Sequence, residues 1–80
     1  MEAYSAYTKI IKIAELVSEE HSKLEENFDK SKAEKFIDDF LSTIHRREDI
    51  NIYESCIAGQ YWNTIKREAL FRINRANRAK

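Results

Sequence analysis

The chain contains no proline, a single glycine (Gly59) and a single cysteine (Cys56) among its 80 residues. Each shortage removes a class of fold. Sheet proteins of this size need turn-forming residues about every 8–12 positions, and this chain lacks them. One cysteine forms no internal disulfide. With only two histidines beside it, the supply of ligands for a structural zinc is poor. No apolar run approaches the roughly 18 residues of a membrane span, and no signal-peptide pattern opens the chain, so no membrane partner is expected. A free cysteine without an export signal points to a reducing, cytoplasmic setting. Glycine-rich phosphate loops and serine elbows are missing too. Tight active-site turns use glycines, so the expectation is a non-enzymatic protein with no catalytic residue, cofactor or metal.

What remains is helix-forming. Charged residues make up 35% of the chain and suit solvated helix faces, while 42% hydrophobic residues argue against disorder. Residues 1–80 make one domain, and at this length folding buries only about 60–65% of the surface of the unfolded chain. The reading is an all-α fold: a three-helix bundle of two long helices and a shorter middle one.

Ala3, Tyr7, Ile10, Ala14, Val17, His21, Leu24 and Phe28 recur at alternating steps of four and three, the stripe of one long amphipathic helix. Ile11, Ile13 and Leu16 widen it, Glu2 suits its first turn, and Asn27 is the plausible left-handed stop. Ser31-Lys32-Ala33-Glu34 matches a capping box and predicts a second helix. Its apolar face is Ala33, Phe36, Ile37, Phe40, Leu41 and Ile44, closed by His45, Arg46 and Arg47. Asp49 or Asn51 can cap the third helix, whose face is Tyr53, Cys56, Ile57, Trp62, Ile65, Ala69, Ile73 and Ala76. The reading is one long helix with a weak point at Gly59; the alternative is a short helix, a bend at Gly59-Gln60 and a fourth helix.

Charge is balanced at 14 against 14 but unevenly spread. Residues 66–80 carry a net +5, and residues 15–39 carry a net −5. Arg67, Arg72, Arg75 and Arg78, with Asn74 and Asn77 between them, form a C-terminal stripe of the residue types that grip phosphates and read base edges. In an up-down-up bundle this stripe lies beside the acids at the end of helix one and the start of helix two, which would neutralise it. Zero net charge also removes long-range attraction to nucleic acid.

The acidic stretch, with Glu19, Glu20 and Glu26, reads as a solvated face or as a decoy for a basic partner surface. Tyr4 and Tyr61 are the candidate contact aromatics, whereas Tyr7 and Trp62 are expected in the core. His21 with Glu25, and His45 with Glu48, could each supply part of a metal site but lack a third ligand nearby. His21 fits the core better, and Cys56 reads as a buried structural thiol.

The leading expectation is a small regulator or inhibitor that docks on a larger protein through Tyr4, Tyr61, Glu19, Glu20 and Glu26, of the kind phages and plasmids encode. The alternative is a nucleic-acid-binding regulator using Arg67, Arg72, Arg75 and Arg78. A homodimer would cover any apolar stripe that the short middle helix leaves open.

Overall fold

A computed structural model describes residues 2–78, with side chains from Ala6 to Arg78. These residues are all-helical, in four α-helices: α1 (Glu2–Ser22), α2 (Lys30–Ser42), α3 (Ile52–Gln60) and α4 (Trp62–Arg78). A 3₁₀ turn over Ile44–Arg46 follows α2. No helix among the described residues is long and apolar enough to cross a membrane.

The first helix ends earlier than its stripe. Lys23, Leu24 and Glu25 donate backbone hydrogen bonds to residues three back, which tightens the last turn. Glu25, not Asn27, then adopts the left-handed conformation, at φ 55°. Leu24 leaves the core as a result and is exposed, while Phe28 packs on the core from the connection.

Two further boundaries differ from the sequence reading. Asp29, two residues before Ser31, caps α2 by accepting from the Lys32 amide at 3.0 Å. Its extended backbone (φ −137°) lets the carboxylate fold over the first turn. His45, Arg46 and Arg47 do not close α2 but belong to the 3₁₀ turn and its cap. There Arg47 forks onto Asp49 (2.9 and 3.1 Å) and lies 5.1 Å from the Phe40 ring centroid, so the connection is held without glycine.

The single long third helix is not formed: it is broken into two, so the bundle has four helices and not three, as the bent alternative has it, although the break falls at Tyr61. Gly59 stays helical, with no positive φ and open space where a side chain would stand. Tyr61 ends α3 by donating to the Ile57 carbonyl and opens α4 by accepting from the Ile65 amide, both at 2.9 Å. The bend lets Tyr61 and Trp62 both pack against the core.

The core is made of the helical stripes. Ile10, Ile13, Ala14 and Val17 of α1 meet Ala33, Ile37 and Leu41 of α2, and Ile65, Ala69 and Ile73 of α4. Ile44, Ile50, Ile57 and Ala58 close the end at which α3 sits. The most extensive helix–helix interface joins α1 to α4. Their C-terminal ends lie side by side: Ser18, His21 and Ser22 share a cleft with Ile73, Ala76 and Asn77, which Phe28 completes. Besides Leu24, four expected core residues lie on the outside. Tyr7 is 62% exposed, and Tyr53, Cys56 and Ala76 are also exposed.

Candidate functional site

The strongest polar assembly centres on Glu54. Asn51 caps α3 by accepting from the Glu54 amide (2.8 Å), and the Glu54 carboxylate accepts from the Asn51 amide (3.1 Å), a reciprocal capping box. The second carboxylate oxygen receives Lys12 at 2.6 Å and Lys9 at 3.0 Å, both from α1. Glu54 is almost fully buried. The Lys12 ammonium, the Asn51 amide and Lys9 outweigh the cost of burial and hold its carboxyl down at about 2. A buried carboxylate this well partnered is a structural pin, and it locks α3 onto α1.

The pin fixes α3 on α1, and the outward side of the helix carries apolar residues beside the polar side chain of Gln60. Ile52, the first residue of the helix, is 84% exposed, and Tyr53 beside it is 48% exposed. Cys56, one turn later, is exposed as well.

The second candidate surface is the outer face of α4. Its inner face is fixed by Ile65, Ala69 and Ile73, and its flanks are tied to both neighbours. On one side Lys66 and the Trp62 indole N–H reach the two oxygens of Asp38 on α2, each at 2.9 Å, and these contacts lower the Asp38 pKa. On the other side Arg72 lies 3.3 Å from Glu68 and 3.9 Å from Glu15 of α1. The side pointing away from the bundle holds Arg67, Phe71, Arg75 and Arg78, all exposed, with Asn74 half-buried among them. Phe71 is 61% exposed. Among the described residues no ion pair involves Arg67, Arg75 or Arg78. The expected self-neutralisation of the arginine stripe therefore occurs only at Arg72.

The third feature is the cleft between the ends of α1 and α4, which Glu25 and Glu26 of the connection also line. His21 at its floor is buried and meets the Phe36 ring edge-on at 5.2 Å, the core placement that its stripe position implies. His45 and Glu48 are both exposed. Among the described residues no three histidine, cysteine, aspartate or glutamate side chains gather where they could hold a metal ion.

The residues expected to meet a protein partner are dispersed. Tyr61 is half-buried against the core at the start of α4, whereas Glu19, Glu20 and Glu26 lie toward the other end of α1 and in the connection after it. Glu20 is paired with Lys23 at 2.8 Å, and Glu19 and Glu26 are exposed. The side chain of Tyr4 lies outside the described residues.

Two exposed apolar residues, Ile52 and Phe71, do not emerge from the apolar stripes. The sequence does carry a signal for Phe71: it stands two residues from both Ala69 and Ile73, on the opposite side of any helix that buries them. No protein-family model, curated protein or solved structure matches this chain.

Proposed function

We propose that this chain is a non-enzymatic docking protein that regulates or inhibits a larger protein by presenting the outward side of α3 to it. The observation that carries this reading is Ile52, an aliphatic side chain left 84% exposed on a helix that the Glu54 pin holds rigid. Isolated exposed apolar residues are ordinary on a protein surface. Here three adjoin on one helix of nine residues, Ile52, Tyr53 and Cys56, with no side chain at Gly59 one turn further on. A rigid platform loses little conformational freedom on binding, and tyrosine is among the residue types enriched at interface hot spots. An aliphatic anchor fits an apolar pocket on a protein better than a polyanion.

The test is affinity capture with the whole chain and with an Ile52→Asp, Tyr53→Ser double variant, compared by quantitative mass spectrometry after nuclease treatment. A protein retained by the wild type and depleted at least tenfold by the variant is the expected result. Equal retention by both, or no protein retained once nuclease has acted, overturns the reading. Sedimentation of both chains checks the remaining occupant, a second copy: a wild-type dimer that the variant dissociates would make this face a self-association surface.

A further inference from the structure

We infer that the outer face of α4 is a binding surface for duplex DNA, with Arg67, Phe71, Asn74 and Arg78 as its central row and Arg75 at its edge. These four residues follow one another at steps of four, three and four. At 3.6 residues per turn they fall within about 60° of the helix circumference, diametrically opposite Ile65, Ala69 and Ile73. The packing of α4 therefore forces this row into water, and Phe71 stays there at 61% exposure.

Charge separates this row from an ordinary solvated face. Three guanidiniums, Arg67, Arg75 and Arg78, have no ion-pair partner among the described residues, although the chain as a whole is neutral. The one acid of α4, Glu68, is held against Arg72 on the flank facing α1. Glu25 and Glu26 stop at the cleft that Ile73, Ala76 and Asn77 line, on the inner side of α4. The outer row carries only positive charge.

Shape favours duplex DNA over the other polyanions. A single convex helix, about 10–12 Å across, fits the major groove of B-form DNA, about 12 Å wide. Side chains cannot read the narrow major groove of duplex RNA. Single strands are bound in grooves with several stacking aromatics, and this face has one aromatic and no groove. Arg67 and Arg78 stand about 16 Å apart along the helix axis. From there the arginines can meet phosphates on both walls, Asn74 an adenine edge and Phe71 the thymine methyls. This surface is distinct from the α3 platform, and either can fail without the other.

The experiment is fluorescence anisotropy of the full chain with a labelled mixed-sequence 20-base-pair DNA duplex, titrated between 25 and 200 mM salt. The expected Kd is roughly 1–100 µM at the lowest salt. Three phosphate contacts give a slope of about −2.7 in log K against log salt, and each of Arg67→Gln, Arg75→Gln and Arg78→Gln should flatten it by about 0.9. Phe71→Ala should weaken binding about tenfold and leave the slope unchanged. Lys32→Gln with Lys35→Gln, on α2, should change neither. Circular dichroism confirms that each variant is folded. The inference is overturned by any of the following: no binding at 100 µM protein in 25 mM salt, equal losses from the α2 lysines, tighter binding to single-stranded DNA or duplex RNA, or displacement by polyglutamate as strong per charge as by DNA. The last result would assign the face to an acidic protein.

Discussion

The Lys12 ammonium lies 2.6 Å from the carboxylate of Glu54, 42 residues away, and that carboxylate also closes the cap of its own helix. One side chain thus links the start of α3 to the middle of α1. The contact is charge-assisted on one oxygen and backbone-directed on the other, so losing the proton is strongly favoured in the folded state.

Acid should loosen this link. The folded-state pKa of Glu54, about 2, lies below the ordinary carboxylate value of 4.5, so its stabilisation is complete above 4.5 and lost as pH falls toward 2. Lys9 and Lys12 are a third to a half exposed, and water screens part of the gain. The expected loss is about 2 kcal/mol. Urea unfolding at pH 6 and pH 3 measures it. Glu54→Gln should be less stable at pH 6 and show a flatter pH dependence over the same range. An unchanged pH profile in this variant would show that other groups govern the acid transition.

Gly59→Ala should stabilise the protein by about 0.5–1 kcal/mol, because alanine restricts the unfolded chain and fits a helical backbone. Nothing lies within 4 Å of the added carbon. A rise of several degrees in Tm, read by circular dichroism, is the expected outcome. No rise would mean that the bend at Tyr61 tightens in the variant.

Glu25→Gly should also stabilise, by about 0.5–1 kcal/mol, for the opposite reason. Glu25 holds φ at 55°, where a residue with a β-carbon is strained and glycine is not. Glu25→Ala should bring no such gain. Chemical denaturation of the pair distinguishes relief of strain from simple removal of a charge.

Ile37→Ala and Phe71→Ala should diverge sharply, although both delete a large apolar side chain. Ile37 is wholly buried, and its truncation should cost about 2–5 kcal/mol, a large share of the stability of so small a domain. Phe71→Ala should change stability by no more than about 0.5 kcal/mol. A large loss from Phe71→Ala would place that ring inside the fold and remove it from any binding face.

Hydrophobic period makes the inner faces legible in the chain itself: Ile10, Ala14, Val17 and His21 on α1, and Ala33, Ile37 and Leu41 on α2, are buried where the stripes put them. Asn51 is legible as a cap because its side chain acts on a neighbour three residues away. The same periodicity carries no information about where a helix stops. Leu24 continues the α1 stripe in sequence yet falls after the last turn. Tyr7 lies at the margin of the stripe, toward the residues Ile11 and Glu15 with which it shares a shallow hollow. Glu54 is invisible in the sequence as a buried group, since its lysine partners come from another helix. The exposed Ile52 and Phe71 follow from which faces are already occupied, and that is settled only when all four helices are in place.

The two helices furthest apart along the chain, α1 and α4, share the largest interface. No contiguous half of the molecule can therefore bury its own stripe. A cut in the connection between α2 and α3 would leave two pieces, each with its principal apolar face open. Such pieces should be unfolded when separate and refold on mixing at a second-order rate, so the molecule can be divided and reassembled as a split reporter.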